Sequence, residues 1–289
     1  MNVPQDSWSC CSGSPASTQD NGASSCCGPP AQANFGPAPQ PPVSPAAAAS
    51  PRHDSGCLVC GAPLVYRTVD GQVPCYYCQA MLPASAVCEQ GHFVCDACHT
   101  TNGLAVIEQV CQTTRETDLI ALLDEIRRQP AIPRHGPEHH VLVPAIILTA
   151  YRNLGGEVTP EMFHTALTRG KTMPGGSCGF LGVCGAATGV GIAFSLLLGA
   201  NPVKPVERRQ VQEAVQAVLE ELTFRDAARC CQRECWLALR RAAELSRELL
   251  PVPLQAAAPL VCRQSGDRPD CLQFQCPLSA SQASRAGLP

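Results

Sequence analysis

The sequence predicts a mainly α-helical chain: a small Cys/His module with short strands, then a helical domain, with a disordered N-terminal tail in front. Three observations predict it. Residues 57–99 concentrate cysteine and histidine, mostly as Cys-x-x-Cys pairs. From residue 105 onward, apolar residues recur at helical spacing between recognisable caps. Residues 1–52 are Pro, Ala, Ser, Gly and Gln, with too few large apolar side chains to form a core. The expected divisions are a tail (1–52), the Cys/His module (53–104), a helical Cys-rich domain (105–255), and a Cys-bearing loop with a frayed end (256–289).

The elements follow in order. The tail carries two pairs, Cys10-Cys11 and Cys26-Cys27, read as incidental thiols on a flexible arm, as a device for metal capture or delivery, or as a vestige of a larger parent protein. Residues 115–130 read as an amphipathic helix, because Leu119, Leu122, Leu123 and Ile126 fall on one face. Glu138 to Asn153 reads as a second helix, stopped by Gly155-Gly156. A third starts with Thr159 as N-cap and Pro160 at the first helical position. An uncharged helix follows the Gly-rich stretch from Pro174. Two more are expected, Pro205 to Leu222 and Ala227 to Leu250, the last ended by Pro251 and Pro253.

Composition narrows the function classes. The 289 residues carry a formal charge of −3, with 16% charged and 4% aromatic residues. No basic footprint for a phosphate backbone is present, so no nucleic-acid partner is expected. Twenty cysteines in 289 residues, about 7%, is far above ordinary usage and points to metal or redox chemistry. The sequence opens without a basic n-region and apolar h-region, and Cys-x-x-Cys pairs suit a metal better than a disulfide framework. A reducing cytoplasm is the expected compartment. Phe180 to Ala200 is long enough to span a bilayer. Its glycines and its cysteines at the entry favour a buried helix instead, and the basic residues at both ends give no orientation. Gly170-Lys171-Thr172 is no P-loop, since Thr165 stands where the first glycine belongs.

The module is the strongest signal. It reads Cys57-x-x-Cys60, then Cys75-x-x-Cys78, then Cys88-x3-His92, then Cys95-x-x-Cys98. Each pair points two ligands at one ion, and Zn²⁺ takes four such ligands tetrahedrally, so four pairs make two closed, zinc-ribbon-like sites. The partition is either sequential (Cys57, Cys60, Cys75, Cys78; Cys88, His92, Cys95, Cys98) or interleaved, with pairs one and three sharing an ion. His99 is an alternative to His92. A segment this poor in apolar mass needs such staples to fold. The run from Cys75 to Cys98 resembles part of a RING finger, which implies a ubiquitin ligase. It departs from that pattern because the remaining Cys-x-x-Cys precedes the run.

A second constellation lies beyond it. His135-Gly-Pro-Glu138-His139-His140 opens a helix with one carboxylate and three imidazoles, which suit a transition metal or acid–base chemistry. The bland alternative is a helix-capping Glu with surface histidines. Cys178 and Cys184 stand in a Gly-rich helix entry, where free N–H groups stabilise a thiolate. Cys231 and Cys235 share a helix face beside Cys230, and Cys262, Cys271 and Cys276 follow, the last before a proline as in ferredoxin-type ligation. An iron–sulfur cluster, a third zinc or redox-active thiols are the candidates for this set.

The stretches His135-Gly-Pro-Glu-His-His140, Pro174-Gly-Gly-Ser-Cys178-Gly, Cys184-Gly-Ala-Ala, Arg229-Cys230-Cys231 and Cys276-Pro277 resemble a prokaryotic Cys-rich domain-of-unknown-function family over roughly residues 57–278. Members are associated with anaerobes and are sometimes attached to methyltransferase or radical-SAM modules. The stretch Cys184-Gly-Ala-Ala-x-Gly189 is also similar, over about 60 residues, to the C-GCAxxG-C-C family of redox proteins. The resemblance implies an accessory role in redox, sulfur, one-carbon or cofactor metabolism, or an adaptor that docks a methyltransferase, radical-SAM or redox partner. The chain has no SAM-binding glycine motif and no radical-SAM cysteine triplet, so either activity would come from the partner.

Overall fold

The structure, a computed structural model, describes residues 56–263 and 271–281. The tail and its two Cys-Cys pairs lie outside the described residues. Among those described are one antiparallel hairpin, β1 (Leu64–Pro74) and β2 (Met81–Cys88), and eight α-helices. These are α1 (Asp96–Thr113), α2 (Leu119–Arg127), α3 (Glu138–Asn153), α4 (Pro160–Lys171), α5 (Ser177–Phe180), α6 (Gly185–Leu197), α7 (Pro205–Thr223) and α8 (Cys231–Leu249). A short 3₁₀ turn covers Gln273–Gln275.

Helix α3 is the axis of the helical part. It is apolar on nearly every side, and a helix hydrophobic all round must be enclosed by others. Leu142, Ile146, Ile147 and Leu148 are fully buried, and α1, α2, α4, α6 and α8 all pack on it. Helix α2 adds Leu119, Ile120, Leu122, Leu123 and Ile126, the set the sequence places on one face. It starts four residues later than expected because Asp118 is its cap, accepting from the N–H groups of Ile120 (2.8 Å) and Ala121 (3.1 Å). The second Asp118 oxygen accepts from Ala257 (2.6 Å) and Ala258 (3.1 Å), tying down the segment after α8. Thr159 caps α4 as expected, accepting from Met162 N–H at 3.2 Å.

Two sequence expectations change. Helix α1 runs unbroken through residues 104 and 105, where the module was expected to end. The uncharged segment is also broken: Gly182 takes a φ of +68°, and α6 begins only at Gly185. At 13 residues, α6 is about 20 Å long, short of the roughly 30 Å of a hydrocarbon core. No described helix is long and apolar enough to cross a membrane. Helix α6 packs instead on α3 and α7 through its small residues. A Cβ at Gly189 would stand 2.9 Å from Pro144 and Val143 of α3.

Candidate metal centres and the cavity beside them

The hairpin decides how the four ligand pairs combine. Cys57 and Cys60 precede β1 and Cys88 ends β2, while the register pairs Leu64 with Cys88. Antiparallel pairing therefore brings pairs one and three to the open end. Pair two sits in the turn between Pro74 and Met81, which also pair. The return loop spans both ends: His92 C=O accepts from Cys88 N–H (3.0 Å), and the next carbonyl, Phe93, accepts from Tyr76 N–H (2.8 Å). The chain thus delivers His92 to one end and Cys95 and Cys98 to the other. The tetrads are Cys57, Cys60, Cys88, His92 and Cys75, Cys78, Cys95, Cys98, each with its ligand atoms within 4.8 Å of one another. The interleaved partition is the one adopted.

The spacings fit a tetrahedral ion. Bonds of about 2.3 Å to sulfur and 2.0 Å to nitrogen require edges of about 3.8 Å for S···S and 3.5 Å for S···N. Cys60–Cys88 and Cys78–Cys95 are each 3.8 Å, and His92 Nδ1 lies 3.5 Å from Cys88 and 3.3 Å from Cys60. Backbone N–H groups point at the sulfurs: Val59 at Cys57, His92 at Cys88 and Cys95 at Cys75. Burial alone would raise the Cys75 thiol, but N–H donation from Cys78, Cys95 and Tyr77 brings it down to about 6. Cys88 is brought down to about 7 against burial by donors at His92 and Gln90. Each tetrad therefore contains a thiol disposed to ionise.

Where the module meets the helical part lies a cavity of about 1110 Å³. Among the contacts that seat the module, Asp96 Oδ2 accepts from Gly175 N–H (2.7 Å), Arg229 stacks over Tyr66, and Tyr66 meets Phe180. The walls carry His99, His135, His139 and His140, and the thiols of Cys178, Cys184, Cys231 and Cys235. Most of the candidate residues beyond the module thus converge on one space.

Beneath the cavity lies a buried relay. His99 Nδ1 is 3.2 Å from Glu138 Oε2, and His139 Nδ1 is 3.3 Å from Glu138 Oε1. Arg127 Nη1 donates to His139 Nε2. That nitrogen must therefore accept, which assigns the His139 proton to Nδ1 and makes the ring neutral. Burial holds the His139 pKa below its ordinary value. The Arg127 charge adds to this, and Glu138 opposes it. Burial would raise the Glu138 carboxyl, yet donation from His139 and His99 holds it well below the usual carboxylate range. Glu138, 1% exposed, and Arg127 are thus an ion pair bridged by a neutral imidazole. His99 faces Glu138 and is not a substitute for His92.

The later cysteines divide. Cys235 interacts electrostatically with Cys231 and Cys184, and all three with Glu234, while Cys230, Cys262 and Cys276 form an outer group near Arg233. Cys271 keeps apart, its sulfur accepting from Gln273 N–H. Cys184 is the N-cap of α6, where the N–H groups of Ala186 and Ala187 favour the thiolate without closing a capping hydrogen bond. Burial and the facing Glu234 carboxylate nonetheless push its pKa far up, and its thiol donates to Glu234 Oε2 at 3.4 Å. Burial also pushes Cys231 up to about 12 and raises Cys178, Cys230 and Cys235. The helix-entry argument for an ionised thiol fails here because desolvation outweighs the dipole. Around these sulfurs lies Arg127, within electrostatic reach of Cys235, Cys231, Cys230 and Cys262. Its Nε and Nη2 are buried without a hydrogen-bond partner among the described residues.

Sequence reasoning misses His99 as a cavity residue, although its neighbour Cys98 and the apolar spacing of Leu104, Ile107 and Cys111 mark a helix that would carry it inward. It also misses Arg127 and Glu234, which no motif singles out. Residues 107–279 match a family of unknown function, DUF5714. No curated protein and no solved structure matches the chain. The match begins at residue 107, later than the likeness read from residue 57, and so leaves both tetrads and His99 outside it. The chain belongs to the DUF5714 family, whose matched span holds the last turns of α1, all of α2 to α8, and Cys178, Cys184, Cys231 and Cys235.

Proposed function

We propose that this is a cytoplasmic metalloprotein with a redox or cofactor-metabolism accessory role. Two zinc ions brace the Cys/His module, and a second, thiolate-ligated centre of the iron–sulfur or a related type occupies the cavity side of α8. The observation that carries this reading is Arg127. A buried guanidinium with two unsatisfied nitrogens is costly unless an anion faces it. The surrounding thiols are neutral as they stand, since burial raises them. A bound metal would ionise them, as metals do to their thiol ligands, and give the two unpartnered Arg127 nitrogens negatively charged acceptors. Cys184, Cys231 and Cys235 would hold the centre, and Arg127 would compensate it. Such a centre supplies electron transfer or metal-bound sulfur chemistry. For the module, the S···S and S···N spacings support zinc, and closed four-ligand sites support a structural role.

Anaerobic purification with zinc, iron and acid-labile sulfide quantitation tests this. The expected result is two zinc ions with additional iron or another thiophilic metal, lost in Cys231→Ser and Cys184→Ser. Two zinc ions with no further metal, even after reconstitution with iron and sulfide, would overturn it. A second reading, an adaptor docking a methyltransferase or radical-SAM enzyme, is favoured by the exposed Val69, Tyr76, Tyr77 and Met81 on the module. A pull-down with the full chain that returns no such partner would remove it.

A further inference from the structure

Four of the long helices begin at the cavity between the module and the helical part. First-turn residues of α1, α3, α6 and α8 all line it, and none of these four is capped by a side-chain hydrogen bond. The starts of α2 and α4 lie elsewhere and are capped by Asp118 and Thr159. Helix α7 is also uncapped, but it begins away from the cavity at an exposed proline. An uncapped start presents N–H groups and the positive end of the helix dipole. Helices α1, α3 and α8 answer it with first-turn acids of their own, Asp96, Glu138 and Glu234, whereas α6 carries none.

Three side chains frame the α6 entry. Ser177 is held beside it, because its carbonyl accepts from the N–H of Val183 (3.3 Å), the residue before the N-cap. Ser177 lines the cavity and is 1% exposed, and its Oγ has no hydrogen-bond partner among the described residues. The His140 ring lies against Gly185, the first residue of α6, where a Cβ would stand 2.0 Å from its Cδ2. Its Nδ1 is 2.9 Å from the Met173 carbonyl, which can only accept, so on the neutral ring Nε2 is an acceptor. Glu234 reaches the entry from α8: Oε1 accepts from Cys230 N–H (3.1 Å), and Oε2 takes only the weak thiol donor of Cys184 (3.4 Å). Helix N–H groups and a hydroxyl that can donate thus stand beside a carboxylate and an imidazole nitrogen that accept. Glu234 would repel a simple anion, and the dipole of α6 would repel a simple cation. A ligand carrying both charges on neighbouring atoms meets both demands.

We infer that the α6 entry binds a zwitterionic α-amino acid, with its carboxylate on the first N–H groups of α6 and the Ser177 hydroxyl, and its ammonium on Glu234 Oε2 and His140 Nε2. Leu64, Leu82, Phe93 and Phe180 line the same cavity and suit an apolar side chain on that amino acid. The site needs no metal in the cavity, so it stands apart from the thiolate centre.

The test is calorimetric titration of the full chain, with zinc in the module, by L-alanine, L-leucine and L-phenylalanine. Two analogues of the tightest binder follow: its amide, which lacks the carboxylate, and its deaminated acid, which lacks the ammonium. The expected result is one saturable site, with each analogue weaker by about tenfold or more, since each loses charge-assisted hydrogen bonds. Ser177→Ala should narrow the gap between amino acid and amide, and Glu234→Gln the gap between amino acid and deaminated acid, with both zinc ions retained as evidence of folding. Equal binding of the amino acid and both analogues would reduce the site to an apolar pocket and overturn the inference. So would saturable binding of none of the three amino acids, or gaps that neither substitution changes. Metal analysis of the same samples reads the thiolate centre separately, so its failure is distinguishable from the failure of the amino-acid site.

Discussion

Glu138→Gln tests the buried relay most directly. The carboxylate is 1% exposed, lies within 3.3 Å of two imidazole nitrogens, and balances Arg127 through His139. Gln keeps the shape and removes the charge, so the guanidinium is left buried and uncompensated. Removing one partner of a buried pair costs about 3–5 kcal/mol, a large part of the roughly 5–15 kcal/mol of a whole domain. With a urea slope near 3 kcal/mol per M, the midpoint should fall by about 1–1.7 M. The assay is urea unfolding at saturating zinc, which holds metal occupancy constant. Arg127→Met should recover part of the loss when added to Glu138→Gln, because it removes the stranded charge. The pH dependence has a definite sign. The Glu138 carboxyl is depressed in the fold, so its contribution is present above the ordinary carboxylate pKa and is lost as pH falls toward the folded value. His139 is also depressed, so the unfolded chain takes up its proton first as pH drops through the ordinary imidazole range. Both terms weaken the fold in acid, and the wild type should lose its advantage over Glu138→Gln on going below about pH 4.5. A midpoint shift below roughly 0.3 M, or strict additivity of the two substitutions, would refute the relay.

Three further outcomes are expected. Gly185→Ala puts a methyl group where the His140 ring lies, so it should destabilise by about 1–3 kcal/mol while leaving the module's metal content unchanged; metal analysis beside a urea curve reads both. Cys95→Ser removes one ligand of the second tetrad and should lower the module's content from two metal ions to one by plasma mass spectrometry, with Cys60 and His92 still holding theirs. Ile147→Ala, at a fully buried position of α3, should cost about 2–5 kcal/mol in thermal or urea unfolding without changing metal content.

What the sequence reveals depends on whether the deciding contact is local. Helix α3 begins and ends where its Glu138 and the Gly155-Gly156 stop place it, and the Thr159 cap and Pro160 mark α4, because capping acts within one turn. Helix α1 is just as local but hides behind the ligand run, since Cys95 and Cys98 read as metal spacing before they read as a first turn. The start of α8 slips from Ala227 to Cys231 because Glu234 accepts from Cys230 N–H at 3.1 Å, a choice invisible in apolar spacing. Pairing of the tetrads needs the hairpin register, and spacing alone does not contain it. The neutral state of His139 needs Arg127, which is distant from every motif and belongs to the end of a different helix. The raised thiols mark the same limit. A helix entry can be read from glycines and a cysteine, but the burial that overrides it comes from α8 closing over the site.

The first turn of α1 joins the two halves of the molecule. Cys95 and Cys98 bind in the second tetrad, and between and beside them Asp96 and His99 reach the other way, to Gly175 and Glu138. An ion in that tetrad therefore fixes the turn that delivers both contacts. His99 is thus presented to Glu138, and Asp96 to Gly175, from one helix turn that a metal in the tetrad would hold. The coupling is reciprocal: an empty tetrad should weaken both contacts, and loss of either contact should weaken metal binding in that tetrad. Chelator titration of Asp96→Asn reads it, because zinc should leave the second tetrad at a lower chelator concentration than in the wild type, and unchanged release would refute the coupling.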